Sequence, residues 1–421
     1  MDADIVIVGA GIAGLRCGIE ILHKSPKSTV VLLEKYNYKG GRVVTYKKKL
    51  VNRKGVCTDL QWENGAGRIH TTHTKVLDLV NKYKLTTFPL ATEQAFVENG
   101  KLQENSFELL LELFLPSVER FEPEILAKYT LRQLFQSLFK GKADSFLIQF
   151  PYRAEVDTLR ADMAIQSFKR EMGTYEGYVV VKEGLSAMIQ GMVDEFIKLG
   201  GSIMLQQTVT DILKEDSTYL VKAKTPSGDV VWEAKKVICA LHSEALKQIS
   251  CFSSWFVLEH LKMEPLLRVY AVFPTEKGKS WFSDIPRCTS AGPIRYFIPI
   301  NPACGIVMMS YTDGKDARAL EGILEKQGEE ALEEYLMKAL RAMFPTYTIP
   351  DTLFFKAHPW YEGCTYWLPG SYNPKELSDL ALQPFPKTMP DLYCCGESFS
   401  TRQAWMEGAL EHADMLLKKF F

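Results

Sequence analysis

Ile5-Val6-Ile7-Val8-Gly9-Ala10-Gly11-Ile12-Ala13-Gly14, near the start of the 421-residue chain, decides the reading of the fold. Four consecutive apolar residues read as a short strand buried on both faces, as in a parallel sheet. Glycines at 9, 11 and 14 then spell G-x-G-x-x-G. The first permits a tight turn, the second lets the backbone approach a pyrophosphate, and the third lets helix and strand pack closely. The next segment places Leu15, Ile19 and Leu22 on one side, which suits an amphipathic helix. Its N-terminal amides and dipole then face the phosphates.

A second apolar run, Thr29-Val30-Val31-Leu32-Leu33, ends in Glu34, twenty residues beyond Gly14. That is the spacing at which an acidic residue accepts hydrogen bonds from a ribose. Strand, glycines, helix, strand and acid in register predict adenine dinucleotide binding.

At 47.8 kDa the chain exceeds the size at which one core stops growing, so two domains are expected. A formal net charge of −1 argues against a general nucleic-acid binder. Lys47-Lys48-Lys49 with Arg53 and Lys54 form the densest basic patch and read as a solvated hairpin. Nine cysteines, an odd number with no C-x-x-C, fit free thiols in a reducing compartment. No leader precedes the first strand and no apolar segment is long enough to span a bilayer, so a cytoplasmic protein is expected.

Further along, Gly40-Gly41-Arg42 suits a turn offering amides and a guanidinium to phosphate. Gly65-Ala66-Gly67-Arg68 has little bulk, so either something flat lies against it or it is a tight turn. His70 and His73 lack companion ligands, and no metal is expected. Stretches Phe107 to Leu115 and Leu131 to Phe139 read as helices. Val179-Val180-Val181 leads into a helix over Leu185 to Lys198, and Tyr219 to Ala223 with Val230 to Trp232 form a hairpin. Leu266 to Phe273, Ile294 to Ile300 and Ile306 to Tyr311 read as antiparallel strands before a charged helix, Leu320 to Met343. Aromatics then cluster at Phe354, Phe355, Trp360, Tyr361, Tyr366, Trp367 and Tyr372. The chain closes with Cys395-Gly396-Glu397 and a helix beginning near Gln403.

No nucleophile elbow, P-loop, zinc spacing or H-E-x-x-H is present. A dinucleotide site beside an aromatic surface instead calls for redox chemistry carried by a cofactor. Gly9-x-Gly11-x-x-Gly14, Glu34, Gly40-Gly41-Arg42, Glu63 to Ile69, Gly396-Glu397 and Trp405-Met406-Glu407-Gly408-Ala409 together resemble the flavin-dependent amine oxidases, a group that includes the monoamine and polyamine oxidases.

The resemblance implies an α/β fold, with a Rossmann-like FAD-binding domain and a second α+β substrate domain carrying a mixed or antiparallel sheet and helices. Segments 1–75, 180–250 and 380–421 fall to the first, and 76–179 and 251–379 to the second. It implies non-covalent FAD held by Gly9, Gly11, Ala13, Gly14, Glu34, Gly41, Arg42, Gly65, Ala66, Gly67, Arg68, Val209, Gly396, Glu397 and Met406. It implies oxidation of a primary amine or polyamine by hydride transfer to flavin N5. Reoxidation by O2 then gives peroxide, and the imine hydrolyses to an aldehyde. Trp405 matches one wall of the amine-facing aromatic pair, and Tyr366 or Trp367 the other. Tyr361 and Tyr372 read as core or interface residues.

Arg268 stands where many relatives carry a lysine near the flavin, and Cys364 lies close to where monoamine oxidases attach flavin covalently. Other readings remain: an L-amino acid oxidase, in which Arg295 or Arg153 meets a substrate carboxylate, a desaturase, or an FAD-binding protein without turnover. No nucleic-acid or membrane partner is expected, and oligomeric state is not legible.

Overall fold

Strand Asp2–Val8 lies inside a seven-stranded sheet, with Val30–Leu33 parallel to it on one side and Gly228–Cys239 parallel on the other. Its core residues Val6 and Ile7 are inaccessible to solvent, as a strand covered on both faces requires. The computed structural model describes residues 2–51, 57–104, 110–172 and 177–421. The sheet runs Ser202–Met204, Val30–Leu33, Asp2–Val8, Gly228–Cys239, Thr218–Thr225, Thr208–Glu215. The twelve-residue strand Gly228–Cys239 serves two neighbours on its other edge. Its first half pairs antiparallel with Thr218–Thr225 as the expected hairpin, and its last residues pair parallel with Leu392–Cys394. A strand from residues 392–394 thus lies two positions from the first, with only Gly228–Cys239 between them.

Val8 is in register with Leu33, so Gly9 and Glu34 leave the sheet at the same edge. Helix Ile12–Lys24 folds back and packs against Leu185–Lys198 and Met406–Phe420. Leu15, Ile19 and Leu22 are buried in that core, the face expected from their spacing.

A second seven-stranded sheet runs Phe354–Trp367, Leu261–Val272, Ile306–Asp313, Tyr296–Asn301, Arg287–Ser290, Gln94–Glu98, Lys101–Glu104. It is antiparallel except where Arg287–Ser290 meets Gln94–Glu98. Its covering segment was expected to be one helix over 320–343. Two helices form instead, Gly314–Gln327 and Glu329–Met343, because Gly328 between them takes φ +90° and cannot continue a right-handed turn. The last helix starts at Met406, not near Gln403, since Ala404 at φ +66° turns the chain first.

Leu131–Phe139 is helical with a Thr130/Gln133 capping box. The more N-terminal stretch is a π-turn, Leu110–Phe114, running into Leu115–Val118; Phe107 lies outside the described residues. So do Arg53 and Lys54, while Lys47, Lys48 and Lys49 are exposed on a hairpin strand, Thr45–Val51. Among the described residues Cys17, Cys239, Cys251, Cys288, Cys304, Cys364, Cys394 and Cys395 are free thiols. Among the described residues no helix is long and apolar enough to cross a membrane.

Candidate active site

A single cavity of about 1280 Å³ opens at the edge where the first strands end and extends under the second sheet. Of the residues singled out from sequence, Gly9, Gly11, Ala13, Glu34, Gly41, Arg42, Gly65, Ala66, Gly67, Arg68, Val209, Arg268, Tyr366, Gly396, Glu397, Trp405 and Met406 line it. Gly14 and Trp367 do not.

The three glycines of the turn have different constraints. Gly9 takes φ +105° and sits 2.7 Å, measured from a notional Cβ, from the Ala240 carbonyl. A Cβ on Gly14 would collide with the Gly9 carbonyl oxygen, so its role is helix-against-strand packing. A Cβ on Gly11 would meet nothing within 4 Å. No neighbour in the chain explains glycine there; open cavity in front of the helix N-terminus does. Glu34, nearly buried at the end of its strand, accepts from the Ala10 amide at 2.9 Å and the Tyr36 amide at 3.0 Å. Burial raises its pKa, and those amides oppose the rise.

Arg42 does not stand free for phosphate. Its Nη2 donates to Glu397 Oε2 at 2.9 Å and its Nη1 to the Gly363 carbonyl at 2.9 Å. Glu397 also accepts from the Thr365 amide and hydroxyl, each at 3.1 Å, and from the Ala404 amide at 2.8 Å. The pair clamps the two ends of the chain together at the cavity wall.

Gly65 and Gly67 are accounted for by close packing. A Cβ on Gly65 would strike the Arg42 carbonyl oxygen, and one on Gly67 would lie 2.7 Å from Arg268 Nη1. Arg268 is held there by the Glu63 carbonyl, which also accepts from Tyr270, at 3.1 and 2.6 Å. The Glu63 carboxyl, taking bonds from the Leu185 amide and Thr45 hydroxyl, is nevertheless pushed up to about 7 by burial. Arg68 lies over the rings of Tyr178, Tyr152 and Trp405 at 4.4, 5.1 and 5.5 Å from their centroids. It makes no ion pair with a described residue.

Strand alternation separates Tyr366 from Trp367. Tyr366 faces the cavity and donates to Glu155 Oε1 at 3.0 Å. Trp367 points into the core, with its indole N–H on the Ser400 carbonyl at 3.0 Å. Trp405 caps the last helix, and its ring meets His73 edge-on at 4.9 Å. Tyr361 is half-exposed and reaches the cavity rim; Tyr372 does not line it. Arg295 binds the Ile148 carbonyl at 3.0 Å and Asp316 at 3.2 Å, and Arg153 meets Asp316 at 3.5 Å, so both are spent outside the cavity. Cys364 lines the cavity, its thiol pushed up to about 12 by burial and by the carboxylate of Glu397.

Sequence reasoning missed Tyr36, Tyr38, Tyr152, Glu155, His242 and His358, which also line the cavity. Only Tyr36 and Tyr38 carried a local signal, being two apart just after Glu34.

The fit to FAD rests on Gly11, the one glycine of the turn with open space before it, and on Glu34 sharing its cavity with Trp405 and Tyr366. No curated protein matches the sequence significantly. A redesigned putrescine oxidase, a triple mutant altered in cofactor binding, shares the fold with a TM-score of 0.73. The match covers 99% of this chain and 98% of that one at 16% identity, a level that speaks for architecture alone. The family model described as flavin containing amine oxidoreductase matches residues 12–414, almost the whole length, and the chain therefore belongs to that family of FAD enzymes.

Proposed function

We propose that this enzyme oxidises the C–N bond of a primary amine or polyamine. The observation that carries the reading is that one cavity holds both the Gly11 turn and the rings of Trp405 and Tyr366. Bound FAD supplies the acceptor for the hydride lost from carbon, and O2 removes those electrons as peroxide. The glycine turn and the N-terminus of helix Ile12–Lys24 hold the pyrophosphate, and Glu34, with a lone pair left on each oxygen, accepts from the ribose. Arg42 and Glu397 act on the wall as a locked pair. The thiol of Cys364, held protonated, supports non-covalent flavin.

Aromatic faces attract an arriving ammonium, while the buried cavity favours the neutral amine that can give up hydride. Arg268 supplies charge and donors but cannot accept a proton, so it cannot be the base. Segments 1–75, 180–250 and 380–421 carry the first sheet and the flavin, and 76–179 and 251–379 carry the second sheet and the substrate. Free thiols support a reducing, cytoplasmic setting.

Arg68 favours a second reading. It is a cation in the cavity that makes no ion pair with a described residue, Glu155 acting on it only through space, and is the group that a substrate carboxylate needs. Anaerobic mixing of the purified yellow protein with amines and with amino acids decides between the two. Flavin bleaching by amines, followed by peroxide on admitting air, supports the first reading. Bleaching by amino acids alone selects the second, and bleaching by neither overturns both.

A further inference from the structure

Tyr36 and Tyr38 stack on one another with ring centroids 5.1 Å apart and planes 14° from parallel. Both line the cavity, and Tyr36 is 46% exposed. Among the described residues the other comparably parallel stacks at the cavity involve Trp62, whose indole is buried between Tyr46 and Tyr270 at 4.8 and 4.7 Å, so that column is core packing. The tyrosine pair is not enclosed between rings in that way; Lys35 Nζ lies 5.4 Å from the Tyr36 ring centroid.

Its backbone is fixed from two directions. The Tyr36 amide donates to Glu34 Oε1 at 3.0 Å, and the Tyr36 carbonyl accepts from the Gln206 amide at 3.0 Å. The Gln207 amide in turn donates to the Glu34 carbonyl at 2.8 Å. Tyr36 therefore stands beside both Glu34 and the segment Gln207-Thr208-Val209, and all of these residues line the cavity. A base is joined by one glycosidic bond to its ribose, so a ribose held at Glu34 brings the base within reach of the residues beside that carboxylate. Tyr38 is a neutral phenol throughout the physiological range, its hydroxyl pushed up to about 12 by burial, so its ring face carries no charge.

We propose that Tyr36 and Tyr38 form a stacking platform for the adenine ring of FAD. The proposal rests on the ribose lying at Glu34. Stacking on an aromatic side chain is sequence-tolerant and contributes through area and π-contact, so the rings matter and the hydroxyls do not.

The test is titration of apoprotein with FAD, following quenching of flavin fluorescence, for wild type and for the paired variants Tyr36→Leu/Tyr38→Leu and Tyr36→Phe/Tyr38→Phe. The Leu pair is expected to weaken FAD binding roughly 10- to 100-fold, the scale of one stacked base. The Phe pair keeps wild-type affinity within about twofold, as expected where the ring alone carries the stacking. Tyr36→Leu alone, at a half-exposed position, keeps the test open if the double variant fails to fold. Leu variants that bind FAD as wild type does overturn the platform, and so does a Phe pair as weak as the Leu pair. Wild-type protein that cannot bind FAD at all defeats the cofactor reading instead, a different failure.

Discussion

Arg42 and Glu397, 355 residues apart, share a 2.9 Å bond from Nη2 to Oε2 at the wall of the cavity. Glu397 is buried, and four donors converge on it, so neither partner can be lost quietly. Removing one partner of a buried pair strands the other's charge, at a cost of about 3 kcal/mol. Arg42→Met and Glu397→Gln should each lower stability on that scale in urea unfolding. The double variant should cost less than their sum, and strict additivity would show that the pair does not couple.

Two glycines three residues apart should fail differently. Gly11→Asp should leave the apoprotein as stable as wild type, because nothing crowds that position, yet abolish flavin retention by placing a carboxylate before the phosphates. Gly14→Ala should destabilise the apoprotein itself, since its Cβ strikes the Gly9 carbonyl. Thermal unfolding of both apoproteins, with absorbance per mole of protein, separates space kept for a ligand from space used in packing.

Trp405→Ala should keep the flavin and lose the substrate. A cation over an aromatic face is worth roughly 0.5–2 kcal/mol, so kcat/KM for an amine should fall about tenfold. Stopped-flow flavin reduction measures it, with flavin content as the control. Unchanged reduction would remove Trp405 from the amine's path.

Arg68→Met distinguishes substrate classes. If a carboxylate binds there, loss of its charged hydrogen bonds should raise KM for an amino acid roughly 10- to 100-fold. Turnover of a simple amine should change little. Steady-state kinetics on one substrate of each kind gives the answer.

Glu63 makes stability depend on pH. Its carboxyl titrates near 7 in the folded protein, against an ordinary 4.5, because burial disfavours the charge. Between those values the folded chain holds a proton that the unfolded chain has released, so stability falls as pH rises through that window and levels off above it. The loss is about 3 kcal/mol at most. Glu63→Gln should flatten the decline between pH 5 and pH 8 in urea unfolding, and an unchanged slope would assign it to another group.

The strand, turn and helix at the start were legible because each is a local pattern: apolar run, glycines, then apolar residues at helical spacing. Glu34 was legible for the same reason. The Arg42–Glu397 pair was not, since both residues read separately as ligands of phosphate or ribityl and nothing local couples positions so far apart. Arg68 looked like part of a glycine-rich turn; its aromatic surroundings come from three segments, at Tyr152, Tyr178 and Trp405. For Tyr366 and Trp367 the alternation of a strand guaranteed opposite faces, but the sequence carried no marker of which faced inward. The break at Gly328 was readable, as a glycine inside a charged helix, and was outweighed by the charges around it.

Glu407, in the last helix, accepts from the amides of Lys75 and Val76, both at 3.0 Å, and so caps the helix Thr74–Lys82 across more than 300 residues. With Leu392–Cys394 completing the sheet and Glu397 meeting Arg42, three separate closures wait on the final thirty residues. While the ribosome is still making that stretch, the emerging polypeptide has a strand without its neighbour, an arginine without its counter-ion and a helix without its cap. Removing residues 392–421 would therefore undo all three closures at once, however intact the glycine turn.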